Sequence, residues 1–158
     1  MQSPIDAIDK MILDLLQTDA RTPLATIARA VGLSGAAVAE RVRKLESSGV
    51  IRGYTAIVDR EKLGKPLTAF IRVTLQPARG TGWGGPAEAL AVDPDVLEIH
   101  HVAGEDCLIL KVHAADPRGI EALLTRLRDR VEVTRTVTMI VLSTVKEDCR
   151  FSWHADTH

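Results

Sequence analysis

Aromatic side chains are scarce: two Trp, two Phe and one Tyr make up 3% of 158 residues, against 46% apolar residues in all. Any core must therefore be aliphatic. Cysteine occurs only twice, as Cys107 and Cys149, which excludes a disulfide framework and reads most simply as two free thiols in a reducing compartment. No apolar run approaches the roughly 18 residues that a membrane span needs. The opening MQSPIDAIDK lacks a basic-then-apolar secretion signal, so a cytoplasmic location is expected. A net charge of −1 excludes reliance on bulk positive charge to hold nucleic acid. Nucleophile elbow, P-loop and dinucleotide fingerprint are all missing, so no catalytic constellation and no cofactor are expected. There is no internal repeat and no low-complexity segment. What is present is enough chain for two small domains or one medium one.

The first third is helical in pattern. Ile8, Ile12, Leu15 and Leu16 recur at helical spacing, and Leu24, Ile27 and Val31 recur again beyond Thr22-Pro23. Pro23 suits a first helical turn, and the Thr22 hydroxyl is expected to cap it. Gly32 accepts the left-handed backbone of a sharp inter-helix turn, and Ser34 is the expected N-cap of a third helix. Ala37, three residues on, is not Glu or Gln, so no full capping box forms there. In that third helix Val38, Val42 and Leu45 form a buried stripe, leaving Glu40, Arg41, Arg43 and Lys44 largely outside it. Taken alone, such a cluster is an ordinary solvated face. Two preceding helices and a glycine turn change the reading to a helix-turn-helix, whose second helix enters the major groove of double-stranded DNA. Over residues 34–53, Arg41, Arg43, Lys44 and Arg52 oppose Glu40 and Glu46, a local balance of only +2. So small a footprint argues for a dimer or larger assembly that multiplies weak phosphate contacts.

After Asp59 the pattern alternates. Residues 54–58 read as a short strand, 60–66 as a linker, and Leu67, Ala69, Ile71, Val73 and Leu75 as the apolar side of a strand whose other side carries Thr68, Phe70, Arg72 and Thr74. The Gly-rich run 77–86 is a loop containing Trp83, more simply a packing residue than a partner contact; Pro86 then opens a short helix with Ala87, Leu90 and Ala91. Residues 96–102 and 107–114 read as a hairpin. Asp116 is the expected cap of a helix with Pro117 in its first turn and a stripe of Ile120, Leu123, Leu124 and Leu127. A final strand is expected over 133–145. Strand, helix, strand, strand, helix, strand is the ferredoxin-like βαββαβ order, so the expected class is α+β. The expected division is a helix-turn-helix domain at 1–53, strand and linker at 54–66, the βαββαβ domain at 67–146 and a tail at 147–158.

The run LSGAAVAERVRKLESSGVIRGYTAIVD, residues 33–59, and the opening IDAIDKMILDLLQTDAR, with Asp9, Ile12, Leu13, Leu16, Asp19 and Arg21, resemble the signature of the Lrp/AsnC family of bacterial and archaeal transcription regulators. The resemblance covers nearly the whole chain. It implies a DNA-binding set of Ser34, Gly35, Ala36, Ala39, Glu40, Arg41, Arg43 and Lys44. It also implies that the second half senses an amino acid or similar small effector and assembles homodimers into tetramers or octamers. In that family amino acids bind between dimers near the hairpin between the domain's second and third strands, which here comprises Val102, Ala103, Gly104, Glu105, Asp106 and Cys107. The family's frequent pattern there is Gly-x-x-Asp followed by an aromatic residue, and this chain has Cys107 and Leu108 in those two places. Thr134, Thr136 and Thr138 alternate along the last strand, which reads either as β-propensity or as hydroxyls on one face. The resemblance makes Thr136 and Thr138 effector ligands.

Other readings stand beside this one. His100 and His101 are adjacent and would point to opposite sheet faces, so the pair cannot jointly hold a metal. They are the only foothold for an enzyme reading, since the siroheme decarboxylases resemble the same family and use histidines in the second domain. A DNA-packing protein without an effector is the other alternative. Cys149, His154, Asp156 and His158 carry metal-capable atoms, but their spacing follows no zinc pattern and a structureless tail is expected.

Overall fold

A computed structural model of the chain describes residues 5–75, 84–104, 108–148 and 150–153. The chain divides into two compact units, one of residues 1–57 with 146–158 and one of residues 58–145. Trp83, Cys149, His154, Asp156 and His158 lie outside the described residues.

The first unit is built on three helices, α1 (Ala7–Thr18), α2 (Leu24–Val31) and α3 (Gly35–Ser47). Its core is aliphatic, with Ile12, Leu13, Ile27, Ala28, Val38 and Leu45 buried. Ile12, Ile27, Val38 and Leu45 lie on the stripes that the helical spacing marks; Leu13 and Ala28 are buried beside them. A capping box starts α1: the Asp6 carboxylate accepts from the Asp9 N–H at 2.8 Å, and the Asp9 carboxylate accepts from the Asp6 N–H at 3.2 Å. Asp replaces the usual Glu or Gln at the third position, so the box escaped the sequence pattern. Gly32 ends α2 in the left-handed conformation with φ 70°, and the Ser34 hydroxyl accepts from the Ala37 N–H at 3.2 Å, both as expected. Thr22 does not cap α2. Pro23 occupies the cap position, and the Thr22 hydroxyl donates backwards to the Asp19 carbonyl at 2.7 Å. A Thr hydroxyl readily closes a local turn of its own, and here the turn after α1 takes it.

Residues 150–153 belong with this unit and are not a structureless tail. The Trp153 ring packs against the three-helix core, an outcome the polar and metal-capable neighbours in sequence obscured.

The second unit holds a four-stranded sheet of β1 (Leu67–Leu75), β2 (Val96–His101), β3 (Leu108–Ala114) and β4 (Val133–Ile140), with helices α4 (Gly84–Ala91) and α5 (Pro117–Arg130). The strand order is β2-β3-β1-β4 and every neighbouring pair is antiparallel, which is the ferredoxin-like arrangement. Alternation decides the faces. Ala69, Ile71, Val73 and Leu75 are buried with Leu90 of α4 and Ile120, Leu123 and Leu127 of α5. Phe70, Arg72, Met139 and Arg135 lie on the other face, since Phe70 pairs with Met139 and Thr74 with Arg135. The Asp116 carboxylate caps α5 by accepting from the Gly119 N–H at 2.8 Å, with Pro117 in the first turn.

Two strand expectations need correction. Residues 54–58 form no strand, with Tyr54, Ile57 and Val58 exposed. Their β-prone composition finds no ladder partner within the described residues, and an unpaired strand leaves its backbone groups to water. The last strand stops at Ile140 rather than 145, because β1, its neighbour among the described residues, ends its pairing at Ala69 with Ile140. The short fourth helix begins at Gly84, two residues before Pro86.

Beneath the helices, the Asp93 carboxylate is fully buried and accepts from Arg126 Nε at 2.8 Å, Arg126 Nη2 at 3.0 Å and Arg130 Nη1 at 3.1 Å. Burying a charge is tolerable only with such pairing. These bonds hold the loop after α4 to α5. The guanidinium bonds, Arg126 foremost, outweigh burial and keep the Asp93 carboxyl below its ordinary value.

Candidate nucleic-acid interface and sensor surface

The face of α3 expected to meet DNA is small-residue rich at its start and charged at its end. Ser34, Gly35 and Ala36 are exposed where the helix begins, Ala39 is half-buried, and Glu40, Arg43 and Lys44 are exposed further along. The free N–H groups of a helix start attract phosphate oxygens, and the absence of bulk at Gly35 and Ala36 permits close approach. Arg43 and Glu40 form an ion pair across one turn, both largely exposed.

Arg41 lies apart from that face. Its guanidinium donates to the Asp6 and Asp9 carboxylates at 2.7 Å each, pinning α3 to the start of α1. Sequence spacing grouped Arg41 with Arg43, and only the packing of α1 against α3 separates them. Two exposed cations outside the expected set accompany the interface: Arg29 near the end of α2, the helix that crosses the backbone in such motifs, and Arg52 just beyond α3. Their isolation in sequence gave no signal beyond charge.

In the second unit the expected effector residues fall at opposite edges of the sheet. Val102, Ala103 and Gly104 follow β2, the edge strand on one side, while Glu105, Asp106 and Cys107 lie outside the described residues. Gly104 has φ +143°, and among the described residues nothing lies within 4 Å of an added Cβ. It is needed for its backbone angle, not for space within the chain. Thr136 and Thr138 are half-buried on β4, the other edge, opposite Val73 and Ile71 and therefore on the helix-covered face. Thr134 is exposed beside the register shift at the end of β1. A single row crosses the sheet: His101 pairs with Leu108, Leu108 with Val73, and Val73 with Thr136. Leu108 and Val73 in the middle of that row are fully buried. Arg128 of α5, exposed and absent from the expected set, points Nη2 at the Thr136 hydroxyl at 3.4 Å.

His100 and His101 do point to opposite faces, since His100 pairs with Ile109 and His101 with Leu108. His100 bonds Glu98 at 3.1 Å. Among the described residues no group of three His, Cys, Asp or Glu is placed to hold a metal ion, and no helix is long and apolar enough to cross a membrane.

A helix-turn-helix followed by a ferredoxin-like unit defines the class of a DNA-binding regulator with a second, appended domain. The comparisons make this specific. Residues 5–46 match the model of the AsnC-type helix-turn-helix domain, and residues 68–151 match that of the Lrp/AsnC ligand binding domain. The chain belongs to the Lrp/AsnC family of transcriptional regulators. It is 36% identical to the HTH-type transcriptional regulator FL11 of Pyrococcus horikoshii over 147 residues, 93% of this chain and 95% of that one. It is 38% identical to the HTH-type transcriptional regulator LrpA of Mycobacterium tuberculosis over 149 residues, 94% of this chain and 97% of that one. Among solved structures it resembles a feast or famine regulatory protein from M. tuberculosis complexed with L-methionine, with a TM-score of 0.86 and 36% identity over 94% of this chain and 99% of that one.

Proposed function

We propose that this DNA-binding transcriptional regulator responds to an amino acid or similar small effector, held between the 102–107 hairpin of one chain and the β4 edge of another. The observation that carries the reading is the row from His101 to Thr136. Three strand spacings, about 14 Å, separate the two edges, and the fully buried Leu108 and Val73 lie between them. No zwitterion reaches both edges of one chain, so a second copy must supply the other half. The hydroxyls of Thr136 and Thr138, the guanidinium of Arg128 and the open backbone at Gly104 are the small set of polar groups that such a site requires. The similar M. tuberculosis structure with L-methionine supports the class of ligand.

On the DNA side, the groove-facing set is Ser34, Gly35, Ala36, Ala39, Glu40, Arg43 and Lys44. Homodimers would present two recognition helices, with half-sites about 34 to 36 Å apart or at multiples of that spacing. The test is a thermal-shift screen of the twenty amino acids followed by calorimetry of any that stabilise the protein, because a ligand of the folded state raises apparent stability by mass action. One or a few amino acids are expected to bind. If none does, the effector reading fails and a regulator without an effector, or a DNA-packing protein, takes its place.

A further inference from the structure

The C-terminal segment 150–153 is docked on the helix-turn-helix by hydrogen bonds, a cation–π contact and apolar packing. The Gln17 side chain of α1 clasps the Phe151 backbone twice, its Nε2 donating to the carbonyl at 3.1 Å and its Oε1 accepting from the N–H at 2.6 Å. Phe151 and Trp153 meet edge to face with ring centroids 4.9 Å apart. Lys10 Nζ lies 5.2 Å from the centroid of the Trp153 ring, within cation–π range. Trp153 also packs against the three-helix core, and its buried Nε1 has no hydrogen-bond partner among the described residues.

A helical unit of some fifty residues is small for independent stability, since even a domain of about 60 residues buries only a marginal fraction of its surface. The segment therefore adds a wall that the core lacks. Its contacts fall on Lys10 and Gln17 of α1, and α1 in turn holds the recognition helix through the bonds of Asp6 and Asp9 to Arg41. In the other direction, residues 141–149 join the segment to β4, the strand that bears Thr136 and Thr138.

We propose that residues 150–153 form a strap that sets α1, and through Arg41 the recognition helix α3, in the position for sequence-specific DNA binding, with Trp153 and Gln17 as its positioning residues. The chain that leads from β4 to the strap crosses from the second unit to the first at residues 145–146, besides the crossing near residue 58. The inference rests on the DNA-binding reading.

The test uses the full chain and a duplex that the wild-type protein enriches from random-sequence DNA, compared with a scrambled duplex of the same composition. Affinities are taken at a temperature where each variant is folded by circular dichroism. Trp153→Ala and Gln17→Ala are each expected to lower the ratio of selected to scrambled affinity about tenfold, with the scrambled duplex bound within about twofold of wild type. Trp153→Phe should restore part of the ratio, because it keeps an aromatic ring for the Phe151 and Lys10 contacts while losing the rest of the indole. In a Trp83→Phe chain, where Trp153 is the only tryptophan, its fluorescence should resist acrylamide compared with the urea-unfolded chain. A Trp153 quenched as freely as in urea would overturn the strap, and so would wild-type ratios in both Trp153→Ala and Gln17→Ala. Should Trp153→Ala not fold, Gln17→Ala alone decides. A wild-type protein that enriches no duplex overturns the underlying DNA reading instead.

Discussion

Arg41 of the recognition helix and Asp9 of α1 are joined at 2.7 Å, and the same Asp9 carboxylate closes the capping box that starts α1. One side chain thus fixes both where α1 begins and how α3 lies against it. Arg41→Ala should lower the melting temperature of the helical unit and loosen DNA recognition without removing a phosphate contact. The salt dependence of DNA binding checks this, since its slope counts neutralised phosphates and should stay at the wild-type value. The Asp6 carboxyl is held below its ordinary value of 3.8 by the Asp9 N–H, then by Arg41. A lowered folded value means that the stabilisation is present above the unfolded value and is lost as pH falls through the folded one. Asp6→Asn should therefore flatten the stability profile below about pH 4, which thermal melts across that range would measure.

Where a single element's periodicity carried the information, the sequence was sufficient. The β1 alternation from Leu67 to Leu75, the α5 stripe, the Ser34 cap and the Gly32 turn are all local patterns with one physical solution, and each is seen as expected. What could not be read were relationships between elements. Arg41 and Arg43 look alike in sequence, and only the approach of α1 turns one inward. Residues 54–58 have strand composition, but pairing depends on a neighbour that composition does not specify. Trp153 was hidden because a short terminal run carries no period, so nothing marked it as a core residue of a unit more than a hundred residues earlier. The expected effector set comes as a list from family resemblance; that its described members occupy opposite edges follows only from strand order.

Direct reading of bases falls to few side chains, because Gly35, Ala36 and Ala39 lack hydrogen-bonding groups. Arg43→Ala should cost about 1 to 3 kcal/mol on the selected duplex and relax preference at one base pair if the guanidinium holds a guanine. Glu40 competes for that guanidinium through their ion pair. Glu40→Ala should then strengthen binding to scrambled DNA and steepen its salt dependence by about one unit of slope. Equal losses of affinity on selected and scrambled duplexes in Arg43→Ala would assign Arg43 to phosphate alone.

The Asp93 network predicts stability, not function. Asp93→Asn keeps the shape but removes the charge that Arg126 and Arg130 share, and it should cost about 2 kcal/mol in urea unfolding. The sign with pH follows from the lowered carboxyl: the wild-type advantage is present above the unfolded carboxylate value and disappears as pH falls through the lower folded one. Profiles of wild type and Asp93→Asn should therefore converge in acid. Parallel profiles would show that the carboxylate charge contributes nothing to folding.

The strongest check on the sensor uses two defects in trans. Gly104→Ala places a side chain where φ is +143°, at a strain of about 1 to 3 kcal/mol, and should distort the hairpin half of the site. Thr138→Val keeps the shape of β4 but deletes a hydroxyl, and should weaken the effector by about 1 to 3 kcal/mol. Each variant alone should bind the amino acid identified in the thermal-shift screen more weakly than wild type. When the two chains are unfolded together and refolded as mixed oligomers, a site built from the hairpin of one and the strand of another combines the two intact halves in some pairings and the two damaged halves in others. Calorimetry of the mixture should therefore recover a population of sites with wild-type affinity. A site contained within one chain cannot do this, because every chain carries one defect; a mixture that binds no better than its components would place the effector within a single protomer and overturn the two-edge arrangement.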